Sequence, residues 1–110
     1  MTMMVTTASF EEVVHALQGA VDEMKLKTEK VDPSKGVVEL RSGINLWTFG
    51  DLIKVNLLTI HDVQVVHVES GIDPEGNVQF LEGGSQRKRE RKLIGLMRDR
   101  LGPELCDLVP

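Results

Sequence analysis

Between Ser85 and Lys92 the chain reads SQRKRERK, five cationic side chains in eight residues. The chemistry such a run offers is anion binding, to a phosphate, a nucleic-acid backbone or a carboxylate. Placed at 100° steps on a helix, Leu93, Ile94, Leu96, Met97 and Leu101 fill an arc of about 160°, the width of a stripe that faces a core. Arg87, Arg91 and Arg98 then line one flank of that stripe, and Arg89 and Arg100 its other edge, while Lys88, Lys92 and Asp99 point away. The basic residues therefore bracket an apolar stripe and do not form one patch. Arg87, Lys88 and Arg89 fall in the first turn, where the helix dipole favours anions, and Glu90 falls inside the apolar arc. A compensating anion is expected against Arg87, Arg91 and Arg98, from the acidic remainder of the chain, a second copy or a phosphate ligand.

Other residues with chemical potential make weaker groupings. Gly83-Gly84-Ser85 ahead of a helix exposes backbone N–H groups that could hold an anion, although a helix cap explains the same residues. His67 and Glu69 share a strand face, but Lys54 and Asn56 fall opposite them, and a cation beside a ligand carboxylate opposes a metal's charge. His61-Asp62 reads as a turn. His15 lies one helical turn from Glu11, the spacing of a surface ion pair. Cys106 is the single cysteine, so no intramolecular disulfide can form, and it reads as a small buried or semi-exposed thiol. No nucleophile has a base at a matching spacing, no metal-ligand spacing or phosphate-cradling loop occurs, and no cofactor is implied. Trp47 and Phe49, between Gly43 and Gly50, are either a plug at the end of the core or the rim of an apolar pocket.

The bulk composition bounds the class of protein without naming an activity. The chain has 110 residues, enough for one core and too few for two. Hydrophobic residues at 41% and charged residues at 27% are those of an ordinary globular domain. No apolar run approaches the roughly 20 residues that span a bilayer, and Met1 to Ser9 lacks the pattern of a secretory leader, so a cytoplasmic protein without membrane contact is expected. From Arg87 to Arg100 seven basic residues face two acidic ones, against a net charge of −4 for the whole chain. That acidic remainder repels nucleic acid, and a chain with one Trp, three Phe and no Tyr has few platforms for stacking bases.

The elements that must position these residues follow from periodicity. Phe10, Val13, Val14, Leu17, Val21 and Met24 recur at helical spacing behind Ser9 and Glu12, a capping box. Met3 to Thr7 reads as a short first strand or a frayed end. Lys25 to Val31 and Val37 to Arg41 flank Asp32-Pro33-Ser34-Lys35-Gly36, a hairpin turn. Pairing Ile60 with Val63 across His61-Asp62, or closing a four-residue loop over Ile60 to Val63 between Thr59 and Gln64 with the same parity, sets Leu57 against Val66, Val55 against Val68 and Ile53 against Ser70 on one face. The other face then pairs Leu58 with Val65, Asn56 with His67 and Lys54 with Glu69, an opposite-charge pair. A brief strand is expected at Val78 to Leu81. A helix from about Gln86 to Leu101 follows, ended by Gly102-Pro103.

This order predicts an α+β two-layer sandwich: a curved antiparallel sheet of four or five strands, with an N-terminal and a C-terminal helix on one face. Residues 1–103 form the domain and residues 104–110 a tail. The far sheet face carries Leu58, Ile60, Val63 and Val65, an apolar surface suited to a second subunit or another protein.

Trp47-x-x-Gly50-Asp51, the alternation Ile53-x-Val55, Val66-x-Val68-x-Ser70, Gln79 and the turn into Lys88 and Leu93-Ile94 together resemble a family of small uncharacterised bacterial domains. There a Trp-x-x-Gly-Glu segment precedes a strand hairpin ending in Val-x-Ser. This chain has Asp51 for the Glu, and Glu82-Gly83-Gly84 where that family has an Asp-Trp-Gly turn. The resemblance covers about Val37 to Leu101 and carries no activity with it. The element order is also similar to TATA-binding-protein-like and helix-grip arrangements. The expected function is thus a non-enzymatic interaction module that self-associates or binds protein. The alternatives are a binder of a small apolar or amphipathic ligand between sheet and helices and, third, an anion or nucleic-acid binder.

Overall fold

The computed structural model describes residues 2–41, 51–72, 79–80 and 84–109. Along the chain run β1 (Thr2–Thr6), α1 (Phe10–Glu23), β2 (Lys27–Asp32), β3 (Val37–Arg41), β4 (Asp51–Ile60), β5 (Val63–Ile72), β6 (Gln79–Phe80), α2 (Gly84–Leu101) and β7 (Cys106–Val109). A 3-10 turn, Pro103–Leu105, joins α2 to β7. Among the described residues the strands form one antiparallel sheet in the order β2-β3-β4-β5-β1-β7, and the two-residue β6 pairs with the end of β5.

The start of α1 is dictated by Ser9. Its side-chain oxygen accepts the Glu12 N–H at 3.2 Å, which satisfies one of the orphan donors at a helix N-terminus. The reciprocal half of the box differs from the usual form, because the Glu12 carboxylate accepts the Ser9 hydroxyl. Val13, Ala16, Leu17, Ala20 and Val21 are the buried face. The helix ends with Lys25 in the left-handed region, at φ 57°.

The β4–β5 hairpin takes the register its side chains require. Ile60 faces Val63, and the pairs Leu57–Val66, Val55–Val68, Lys54–Glu69 and Ile53–Ser70 follow. A one-residue slip would turn every apolar side chain of the inner set to the other face. His61 has φ 55° and Asp62 does not share a positive φ, the signature of a II′ turn, which glycine fills best. His61→Gly and Lys25→Gly are each expected to stabilise the fold by about 1 kcal/mol. Thermal melts should show a rise of a few degrees for each, and an unchanged midpoint would mean the left-handed conformation carries no strain there.

Inner-face residues Met4, Leu40, Ile53, Val55, Val66 and Val68 form one cluster with α1 and with Leu93, Ile94, Met97 and Leu101 of α2. Glu90 falls where the helical wheel places it, inside the apolar stripe and 1% exposed, and accepts the Ser70 hydroxyl at 2.7 Å. Ser70, at the inner-face end of β5, is thus the strand partner of the one acid on the buried stripe.

Three expectations are corrected. Among the described residues the sheet has six strands in line, not four or five, because β1 is interior and β7 adds a strand beyond it, β1 pairing with β5 on one side and β7 on the other. Of the expected tail 104–110, the described residues are held in the fold, since Cys106–Val109 is β7 and the Leu105 carbonyl accepts the Thr7 N–H at 3.2 Å. The helices also do not lie equivalently on the sheet. The backbone of α2 comes close to β5 and β1, whereas α1 comes close to α2 and reaches the sheet by side chains. The Arg100 guanidinium lies over Gly19, 2.5 Å from where a Cβ would stand, a contact that the end of a flexible side chain can yield.

Candidate functional site

Neither helix closes over the β2–β3 side of the sheet. Strands twist relative to one another while helices stay nearly straight, so a helix packed at one part of a sheet diverges from another. The divergence opens a cleft of about 420 Å³ between α1 and the β2–β3 hairpin. That lies in the range of small-molecule sites, about 300–1,000 Å³.

The α1 wall is Phe10, Val14, Leu17 and Val21, spaced one helical turn apart. Val31, Val38 and Leu40 form the hairpin wall, and Leu57 contributes from β4. Leu17, Leu40 and Leu57 belong to the core, while Phe10 at 47% exposure and Val31 at 54% stand at the mouth. Pro33 and Gly36 line the turn end. Gly36 has φ 65°, its carbonyl accepts the Leu57 N–H at 2.7 Å, and a Cβ there would lie 2.3 Å from the Leu57 carbonyl oxygen. Glycine at this position is what lets the hairpin tip dock onto β4 and hold the wall in place.

The polar part of the lining is Gln18, Asp22, Thr28 and Asp32. The Ser34 hydroxyl donates to Asp32 Oδ1 at 2.7 Å, and the Lys35 N–H reaches the same oxygen at 3.3 Å. Chiefly through the Ser34 hydrogen bond, the Asp32 carboxyl is held below its ordinary pKa. A lowered folded-state value means that this turn contributes stability above the unfolded-state pKa, and loses it as the pH falls through the folded one. Carbon-detected NMR titration should place Asp32 below a free aspartate, and Ser34→Ala should move it back up; an unmoved midpoint in that variant would exclude the hydroxyl as the cause.

The residues singled out by sequence are spread over other surfaces. Arg91 is exposed and Arg98 half-buried on α2, and the Arg98 Nε is buried without a hydrogen-bond partner. Arg87 belongs to α2, with its side chain outside the described set. Arg100 is exposed and lies across Gly19 in a groove that Glu12 and His15 also line. Trp47 and Phe49 lie outside the described residues, as do Val78, Leu81 and most of the segment that carries the family resemblance before Asp51. Leu58 and Ile60 are half-exposed on the outer face, with Val63 and Val65 less so.

His67 is engaged by neighbours, its Nδ1 lying 3.4 Å from Asn56 Nδ2 and 3.8 Å from Glu69 Oε1. Among the described residues no three His, Cys, Asp or Glu side chains are grouped to hold a metal ion. Cys106 is buried, and its thiol lies 3.5 Å from the Thr6 hydroxyl across the β1–β7 pair. Among the described residues, no helix is long and apolar enough to cross a membrane.

The sequence offered a pocket between sheet and helices as one alternative, with Trp47 and Phe49 as its rim or as a plug of the core, and those two residues lie outside the described set. The described walls come from α1 and the first hairpin. One signal was available in the pattern: Phe10 and Val31 are apolar at positions that secondary structure leaves near an edge.

The class these features define is an α+β domain, an open antiparallel sheet with two helices and an apolar cleft beside the first. No protein-family model matches the chain, and a search of curated proteins finds no relative.

Proposed function

We propose that the protein is a non-catalytic cytoplasmic binding module that holds a small apolar or amphipathic ligand between α1 and the β2–β3 hairpin. In this reading the fold works as a two-layer sandwich of the helix-grip kind. The observation that carries it is the cleft itself, about 420 Å³ with walls from Val14, Leu17, Val31, Val38, Leu40 and Leu57. Apolar surface left open at that size gains from any hydrocarbon that displaces water, at roughly 25 cal/mol per Å². Titrating 1-decanol into methyl-labelled protein should shift the resonances of Val14, Leu17, Val31 and Leu57 together, and Val31→Asp should weaken that response at least fivefold. Unmoved methyls across decanol and a panel of hydrophobic dyes would sink the reading.

A second reading, self-association, has its own observation. Leu58 and Ile60 are 50% and 54% exposed beside Val63 and Val65, on the sheet face away from both helices. A two-fold interface would place this patch against itself, with the Lys54–Glu69 cross-strand pair at its margin. Sedimentation should then find a dimer at tens of micromolar that Leu58→Lys dissociates. A monomer at high micromolar concentration would remove this reading and leave the cleft untouched. Anion or nucleic-acid binding through Arg87, Arg91 and Arg98 ranks third, since a net charge of −4 over the whole chain opposes a polyanion.

A further inference from the structure

We infer that the ligand of the cleft is a primary alkylamine, a single apolar chain with an ammonium head seated beside Asp22. The inference rests on the cleft being a ligand site and adds the charge and the polarity of what enters it.

The first ground is charge. Asp22 and Asp32 are the charged residues among those lining the cleft, and no lysine, arginine or histidine is among the described lining residues. An anionic ligand would therefore meet two carboxylates and no cation in the lining, whereas a cation meets its complement.

The second ground is which carboxylate is available. Asp32 already accepts from Ser34 and the Lys35 N–H, and Lys30 lies close enough to favour its charge. Asp22 is exposed and has no hydrogen bond or ion pair through its side chain with a described residue. It stands in the last turn of α1, which contains no basic residue, at the negative end of the helix dipole. Lys25 follows three positions later, but it is exposed and is not part of the lining.

The third ground is the order of groups along the cleft. Only Met24, Lys25 and Leu26 separate α1 from β2, so Asp22 and Gln18 lie over the Thr28 end of the hairpin. Phe10 belongs to the opposite end, with Pro33, Gly36 and Leu57, because the hairpin tip docks on Leu57. Asp22, Gln18 and Thr28 therefore stand together at one end, Asp32 stands with Pro33 at the other where its own turn occupies it, and the walls between are hydrocarbon. The aromatic ring of Phe10 is at the wrong end to cage a quaternary head, and the carboxylate, amide oxygen and hydroxyl of Asp22, Gln18 and Thr28 are acceptors for the three N–H donors of a primary ammonium.

The test is calorimetric titration of the full chain at neutral pH with decylamine, 1-decanol and decanoate below their aggregation limits, with methyl spectra as the second readout. Exposed ion pairs and helix-end charges each contribute modestly, so decylamine should bind about threefold tighter than decanol and about tenfold tighter than decanoate. Asp22→Asn should bring decylamine to the decanol level while decanol is unchanged. Equal binding of all three, tighter binding of decanoate, or an Asp22→Asn variant that keeps its amine preference would overturn the inference and leave the cleft as a neutral apolar site. Failure of all three to bind, with silent methyls, would overturn the cleft reading along with it.

Discussion

Removing residues 106–110 is expected to lower the unfolding free energy by about 4 kcal/mol, out of the 5–15 kcal/mol typical of a domain. The strand lost is β7, which pairs with β1 over Met3 to Thr6. Each ladder hydrogen bond contributes roughly 0.5–1.5 kcal/mol net, and the truncation strips several at once. It also removes the Cys106 side chain, 5% exposed and part of the core cluster, and leaves Thr6 without its thiol neighbour. Strand β1 would become an open edge, a template for pairing with other chains, so aggregation should accompany the loss of stability. Denaturant titration of the truncated and full chains measures the difference directly. A loss under about 1 kcal/mol would mean that β7 is an appendage and that the domain closes at β1.

The next largest effect is expected from a single methyl. Gly36→Ala should cost about 3 kcal/mol, from a left-handed backbone that costs an ordinary residue about 1–2 kcal/mol and from disturbing the Leu57–Gly36 hydrogen bond. The obstacle is a backbone carbonyl oxygen, 2.3 Å from the new Cβ, which cannot swing aside as the end of a side chain can. The hairpin tip must lift from β4, so the variant should also change the cleft: decanol shifts at Val31 and Val38 should shrink along with stability. Gly95→Ala is the internal contrast. It places a Cβ in open space on α2, and the greater helix propensity of alanine should stabilise the fold by about 0.5–1 kcal/mol. If both glycine variants behaved alike, the close approach of Gly36 to Leu57 would not be what governs that position.

Much of this was legible before any coordinates. The helix α1, its Ser9 cap and its buried stripe are local properties, set by spacing and by one side chain next to its own backbone. So is the β4–β5 register, because His61-Asp62 leaves one pairing in which Lys54 meets Glu69 and the valines meet leucine and isoleucine on the inner face. Even the burial of Glu90 followed from counting residues around α2. Its partner Ser70 did not, since twenty residues separate them and only packing of α2 on β5 brings the two together.

What tertiary structure alone decided has a common cause. Whether Thr2–Thr6 frays or sits in mid-sheet depends on β7 arriving beside it from the other end of the chain, a pairing that no local pattern encodes. The cleft depends on where α1 leans, and that depends on its packing against α2 and on a twisted sheet falling away beneath a straight helix. Periodicity says which side of an element is apolar. It does not say whether that side is covered, because coverage is a relation between elements distant in sequence, and the apolar residues that α1 and the first hairpin leave facing each other across open space are the result.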